Sequence, residues 1–234
     1  MSALPPKADI GTQSQGLIAS YQHPGGKITG TASQFEDLAA KMIELLHDAA
    51  PKAGSIAVLF NPNNPVHKLF LNEIVGATQV LNLKLANFPI SQPDQIDTAF
   101  DQMRSADIDA AAVLPDDVFL FNLRPRIIAR LAAAKMPSVF GFREAVEDGG
   151  LMSYGESMRG GHFRAAYFVD RIIRGATAAD LPVEQPTKFE LIINKKTAEA
   201  LGLAIPASVL FRADEVCLND RGNAPLDRGP IPPI

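Results

Sequence analysis

Residues 55–65 carry the sequence SIAVLFNPNNP, in which an unbroken apolar run passes directly into a segment of asparagine and proline. A continuous apolar run of this length is typical of a strand buried on both faces of a parallel sheet. Asparagine and proline favour turns, so the strand is predicted to end at residue 60. Apolar residues then recur with helical spacing and predict a helix over residues 66–81.

This strand–helix unit recurs along the chain. Apolar runs predict further strands at residues 84–88, 110–114, 137–142 and 151–154. Helical periods between them predict helices at 94–103 and 123–135. Strands that alternate with helices in this way form a parallel sheet with right-handed crossovers. The sequence therefore predicts an α/β fold with one complete, doubly wound parallel-sheet lobe at residues 55–156.

The flanking regions predict a second set of elements. Ser33 and Glu36 have the spacing of a capping box and predict the start of a helix that ends at residue 49. Helical periodicity at 159–174 predicts a long helix. The remaining predicted elements are a short helix at 16–22, a short strand at 27–31, a strand at 189–193 and a short helix that begins at the N-cap Asn194 and ends at Gly202.

Composition narrows the class of protein. The formal net charge of -4 argues against nucleic acid or an anionic membrane as the main partner. The single cysteine, Cys217, excludes an internal disulfide, and with four scattered histidines it forms no metal motif, so no metal or cofactor is expected. Residues 1–15 show none of the features of a signal peptide, which predicts a cytoplasmic location for the chain as written.

Four stretches of the sequence resemble one family. They are GLIASYQHPGGKITG at 16–30, LAAKMIELLHDAAPKAGSIAVLFNPNNP at 38–65, GGLMSYG at 149–155 and LPVEQPTKFELIINKKTAEALGLAIPASVLFRADEV at 181–216. Together they resemble ABC transporter substrate-binding proteins related to tryptophan and tyrosine importers. The resemblance implies a type I periplasmic-binding-protein fold, a solute held in a cleft between two lobes, ABC permease subunits as partners, a periplasmic location and no enzymatic activity.

The resemblance also carries expectations about what this chain contains. Family members have a signal peptide and about a hundred more N-terminal residues, so the chain is expected to be truncated at its N-terminus and, alone, to bind its solute weakly or not at all. The expected division is a disordered N-terminus at 1–15, a remnant of the N-terminal lobe at 16–54, a C-terminal lobe at 55–156, a crossover helix and return at 157–218, and a disordered tail at 219–234. Unpartnered apolar faces on helix 33–49 and strand 189–193 predict self-association.

Ligands of open α/β sheets bind at the carboxyl ends of the strands. The first candidate ligand-binding residues at these ends are Asn61, Asn63 and Asn64, whose amides suit a small polar solute but also suit a simple turn. Asp116 and Asp117 follow the strand at 110–114, where one carboxylate could hold an ammonium group or cap a helix. No base, nucleophile or third ligand accompanies them, which argues against a catalytic or cation site.

Two further loops add candidates. Phe140, Arg143 and Glu144 could present an aromatic wall and a guanidinium to a ring or carboxylate. The alternative for these residues is a core phenylalanine and a solvated ion pair. Ser153 and Tyr154 follow, with a phenol that could stack on a solute or lie in the core as a satisfied tyrosine.

The sequence therefore supports a solute-binding component of a bacterial ABC importer that binds a small molecule, with amino acids among the candidates, between two lobes. The alternative is a cytoplasmic small-molecule sensor module of a transcriptional regulator, which the missing signal peptide favours. Residues 1–15 are too short for the helix-turn-helix that such a regulator needs. An enzyme on a Rossmann-like scaffold is disfavoured because the sequence has neither a phosphate-binding fingerprint nor a nucleophile–base pair.

Overall fold

The computed structural model describes residues 17–32, 38–185 and 188–218, with the side chain of Leu120 left aside. These residues form two compact units. The larger comprises the described residues of 37–155 and those from 190 onward, and the smaller comprises the described residues up to 36 together with those of 156–189.

The larger unit is built on one sheet. Among the described residues its strands are β1 (Ser55–Phe60), β2 (Lys84–Pro89), β3 (Ala110–Val113), β4 (Ser138–Phe140), β5 (Met152–Glu156), β6 (Phe189–Asn194) and β7 (Glu215–Cys217). Their order is β2-β1-β3-β4-β5-β6-β7. β1 pairs parallel with β2 and β3, β3 with β4, β4 with β5, and β6 with β7. The predicted α/β fold with a largely parallel sheet is confirmed.

Helices alternate with these strands along the chain. The described helices are α1 (Leu38–Ala49), α2 (His67–Val80), α3 (Gln95–Ser105), α4 (Arg124–Ala133), α5 (Arg143–Glu147), α6 (Met158–Ile173), α7 (Lys195–Ala200) and α8 (Ala207–Arg212). A π-helical segment, Phe119–Leu123, precedes α4. No helix among the described residues is both long enough and apolar enough to cross a bilayer.

The core has two layers because successive residues of a strand point to opposite faces. On one face Ala57 and Leu59 of β1 pack with residues of α3, α4 and the π-helical segment. On the other face α1 lies against α2, β3 and β4. The run Ser55–Leu59 is accordingly buried throughout, as its unbroken apolar sequence predicts.

The packing of α1 and β6 corrects one expectation. Seven residues of α1 are buried, and Leu191–Asn194 of β6 are buried within the sheet. Both elements belong to the same compact unit as residues 55–155, so they are not unpartnered pieces of another lobe. The physical reason is that a sheet of buried strands needs cover on both faces, and α3 and α4 cover one face alone.

Several local predictions also change. Residues 17–22 form bends instead of a helix, and the predicted strand at 27–31 is reduced to one bridge between Thr31 and Glu184. The capping box of Ser33 and Glu36 lies outside the described residues. Elements α5, α8 and β7 were not predicted, because runs of three to six residues carry too little periodicity to identify.

The smaller unit contains α6 and the described residues of 17–32. Thr29 Oγ1 donates a hydrogen bond to the Leu181 carbonyl at 2.7 Å. Arg164 of α6 pairs with Glu184 and lies 3.8 Å from the ring centre of Tyr167. The hydrogen bond from Arg164 lowers the pKa of Glu184. Within α6, Phe168 is the one buried residue, so this helix exposes most of its apolar surface.

The carboxyl ends of β3, β4 and β5 approach one another with backbone contacts. A Cβ atom on Gly155 would lie 1.9 Å from the carbonyl oxygen of Gly141. A Cβ atom on Gly141 would lie 2.5 Å from Cβ of Pro115. A side chain at either position would force the backbone to move. Glycine is therefore required at both positions because there is no space for a Cβ atom.

We predict that Gly155→Ala lowers the free energy of unfolding by about 3 kcal/mol, the upper part of the usual range for overpacking. The matched control is Gly76→Ala on α2, where an added Cβ would meet nothing within 4 Å. That change should be neutral or stabilise the protein by up to about 1 kcal/mol because alanine favours helix. Urea unfolding followed by circular dichroism measures both, and equal effects of the two variants would contradict the prediction.

Candidate functional site

A group of buried polar side chains lies at the carboxyl ends of β1 and β3. Asp116 is 6 % exposed. The side-chain amide of Asn61 donates to both carboxylate oxygens of Asp116 at 3.2 Å, and the amide of Asn64 donates to one of them at 2.9 Å. Three residues predicted as ligand-binding are thus brought together by one carboxylate. We call Asn61, Asn64, Asp116 and the adjacent His67 the polar cluster.

His67 was not predicted, and it begins α2 directly after the turn. The Asn61 backbone amide donates to His67 Nδ1 at 2.8 Å, and His67 Nε2 lies 3.0 Å from the Pro115 carbonyl oxygen. Nδ1 also lies 3.1 Å from the Asn61 carbonyl oxygen. The contacts with the Asn61 amide and with Pro115 suit a neutral imidazole that carries its proton on Nε2. Burial lowers the pKa of His67, although hydrogen bonds to Pro115 and Asn61 and the charge of Asp116 oppose that shift. Its position after the sequence NPNNP was the available signal, but a lone histidine is more often a packing residue.

Side-chain oxygens of the polar cluster also fix the two loops. Asn61 Oδ1 accepts from the Asn63 amide, Asn64 Oδ1 from the Val66 amide, and Asp116 Oδ1 from the Val118 amide, at 2.9–3.0 Å. The turn and capping alternatives for these residues are therefore realised in the structure.

The two loops that carry the polar cluster also have side chains that solvent reaches. Asn63 and Asp117 are exposed and Asn64 is half-buried. Among the predicted residues of these two loops, solvent and hence a solute can reach Asn63, Asn64 and Asp117.

Phe140 and Ser153 are core residues of the sheet. They are partners in the register of β4 and β5 and are 4 % and 1 % exposed. Phe140 packs with Val113 and Phe119 in the hydrophobic core. The nearby cavity that Phe140 lines together with Gly141 has a volume of about 20 Å³, enough for about one water molecule. The predicted aromatic wall at Phe140 is thus corrected to a core contact, while Phe142 is the half-buried aromatic residue of this loop.

Arg143 is engaged with three carboxylates. Its nitrogens lie 3.1 Å from Glu147, 3.3 Å from Glu190 and 2.7 Å from Glu215. Burial alone would lower the pKa of Arg143, but hydrogen bonds to Glu215 and Glu147 raise it. The guanidinium joins α5 to β6 and β7, so the expected contact with a solute carboxylate is corrected to an internal ion-pair cluster. Beside it, burial and a hydrogen bond to Glu215 raise the pKa of Cys217 to about 11, which leaves the thiol protonated at neutral pH.

Glu144 and Tyr154 are both half-buried. Glu144 is not among the partners of Arg143, and its Oε2 is buried without a hydrogen-bond partner among the described residues. Tyr154 is half-buried beside the charges of Lys41, Asp214, Arg212 and Glu44, and burial is the main cause of its raised pKa. Its hydroxyl is therefore a neutral donor at neutral pH.

Among the described residues, the side chains that could ligate a metal do not cluster. In this part of the chain no three His, Cys, Asp or Glu side chains are placed to hold one ion. The chemistry available at the strand ends is therefore that of amides, carboxylates and one neutral imidazole, which together can donate to and accept from a small polar molecule.

Comparison with known proteins places this arrangement in a family. The model of the family described as ABC transporter substrate binding protein matches residues 9–217. A tyrosine-binding protein of Clostridioides difficile is 25 % identical over 189 residues, which are 80 % of this chain and 53 % of that protein. The chain therefore spans about half the length of this curated relative.

Solved structures show the same fold. The ABC domain of a Streptococcus pneumonia protein in complex with L-Trp matches with a TM-score of 0.76 at 25 % identity, covering 88 % of this chain and 70 % of that one. A ligand-free, open substrate-binding protein with adhesive properties from Clostridium difficile matches with a TM-score of 0.62 at 22 % identity, covering 88 % and 68 %.

We predict that Arg143→Met lowers the free energy of unfolding by about 1–2 kcal/mol at low salt, because three carboxylates lose their shared cation. High salt should reduce the loss, since it screens the repulsion among them. The control is Arg104→Met, whose side chain is 81 % exposed beside Asp101 and which should change stability by less than about 0.5 kcal/mol. Urea unfolding at two ionic strengths decides, and an Arg143 variant as stable as the parent at both would contradict the assigned role.

Proposed function

Because the chain belongs to the family of ABC transporter substrate-binding proteins, we propose that it is the solute-binding component of a bacterial ABC importer and that its solute is an aromatic amino acid. The choice of solute is supported by the tyrosine-binding relative and by the relative in complex with L-Trp. Both are distant, so the amino-acid class is better supported than either single amino acid.

The observation that carries the proposal is the polar cluster at the carboxyl ends of β1 and β3. Ligands of open α/β sheets bind at this edge, and here Asp116 ties both loops together. We propose that the cluster is the floor of the solute site and that Asn63, Asn64 and Asp117 contact the solute. An exposed carboxylate such as Asp117 suits the ammonium group of an amino acid, and the asparagine amides suit its carboxylate.

The aromatic side chain of the solute needs an apolar surface. We propose that Phe142 supplies it, because this residue is half-buried and adjoins the cavity between β3 and β4. Phe140 and Ser153 are buried in the core and take no direct part in the proposed contacts.

The partners and location follow from the same proposal. A solute-binding component delivers its ligand to permease subunits, so the protein would act in the periplasm or at the outer face of the cytoplasmic membrane. Recognition requires no bond to be made or broken, and we propose no catalytic step for this chain.

We predict that L-tyrosine or L-tryptophan raises the midpoint of thermal unfolding, whereas D-ribose does not. A ligand at about ten times its Kd adds about 1.4 kcal/mol to folding stability, a rise of about 3–6 °C for a protein of this size. Asp117→Ala and Asn64→Ala should weaken the affinity about tenfold, because each removes one polar contact to a charged group. The measurement is a thermal-shift titration at millimolar ligand followed by isothermal titration calorimetry.

The control variant is Asn87→Ala, an exposed asparagine on the edge strand β2, which should bind like the parent. If no amino acid stabilises the parent chain, or if Asp117→Ala and Asn87→Ala bind equally well, the proposed site is wrong.

A further inference from the structure

His67 occupies the junction between the two loops that form the polar cluster. Its ring contacts the backbone of Asn61 after β1 and the backbone of Pro115 after β3. Backbone contacts of this kind set the position of a loop, whatever side chains the loop carries. Since Asn61 and Asp116 are adjacent to these contact points, the ring can control how the polar cluster is presented.

The surroundings of the His67 ring are mostly apolar, so a positive charge on the ring would change its interactions with its neighbours. The rings of Phe60, Phe70 and Phe119 lie 5.9–6.5 Å from it, centre to centre. Asp116, on the β3 loop, faces it with Oδ2 at 4.0 Å from Nε2. The adjacent charged residues Lys68 on α2 and Asp117 on the β3 loop are exposed. An imidazolium here would be buried among aromatic rings, with one carboxylate as its counter-charge.

We propose that His67 is a positioning residue for the solute site: its neutral ring holds the Asn61–Asn64 turn and Asp116 in the arrangement that binds solute, and its protonation weakens binding. This inference rests on the proposed function and adds to it a pH dependence set inside the protein.

The mechanism is a reversal of one hydrogen bond. In the neutral ring, Nδ1 accepts from the Asn61 amide. Protonation turns Nδ1 into a donor, so the Asn61 amide loses its acceptor and Nδ1 bonds instead to the Asn61 carbonyl oxygen, 3.1 Å away. The new positive charge also attracts Asp116, whose oxygens are shared with the amides of Asn61 and Asn64. Both effects rearrange the loop that carries Asn63 and Asn64. Because burial lowers the pKa of His67, this occurs below the ordinary histidine range.

The test compares His67→Asn with the parent. The asparagine Oδ1 can replace Nδ1 as the acceptor for the Asn61 amide but cannot be protonated in this range. Affinity for L-tyrosine and L-tryptophan is measured by calorimetry at about pH 7.5 and about pH 5. We expect the affinity of the parent to fall at least about threefold at the lower pH, and that of His67→Asn to stay within about threefold of the parent at the higher pH and to show no such fall. His162→Asn, which changes an exposed histidine of α6, should keep the pH dependence of the parent.

A second measurement needs no solute. In ¹⁵N-labelled protein the Asn61 backbone amide should shift with pH in the parent and in His162→Asn, but not in His67→Asn, while circular dichroism confirms that all three are folded. An Asn61 amide that ignores pH in the parent, or a His67→Asn variant that keeps the full pH dependence of binding, would overturn the proposal. If the amide titrates as expected but no amino acid binds at any pH, the coupling of His67 to the turn stands and the proposed function fails.

Discussion

A carboxylate withdrawn from water must be hydrogen-bonded or paired, because an isolated buried charge is far too costly to keep. Asp116 meets that requirement with amides from a different strand–helix unit. The arrangement of both loops follows from this need: Asn61 and Asn64 must turn toward Asp116, and Asn63 and Asp117 are left facing outward. The same need explains why His67 lies in its position, since a ring that bridges the two loops keeps the donors aligned.

The sheet could be predicted from the sequence because its evidence is local. β1 and β3 lie on unbroken apolar runs, and each connecting helix has its own period. The polar residues at the strand ends followed from a general rule about α/β sheets, and Asn61, Asn64 and Asp116 from that set are in contact in the structure.

What the sequence could not predict depends on contacts between distant segments. The partners of Arg143 include Glu190 and Glu215, which come from strands that enter the sheet late in the chain. No sequence pattern around residue 143 predicts these partners. The cover that α1 provides for the sheet depends likewise on tertiary packing. His67 was missed for another reason: its role lies in backbone contacts, which leave no mark on the sequence beyond a single histidine.

The contact between Gly155 and Gly141 has an evolutionary consequence. Three strand ends meet there with no room for a side chain, so this part of the edge cannot be reshaped one substitution at a time. Under the proposed assignment of the site, a change of solute would fall on the solvent-reached residues of the neighbouring loops, at 63, 64, 117 and 142. Gly141 and Gly155 would stay unchanged while those loop residues vary. Solute specificity could then change without a change of fold.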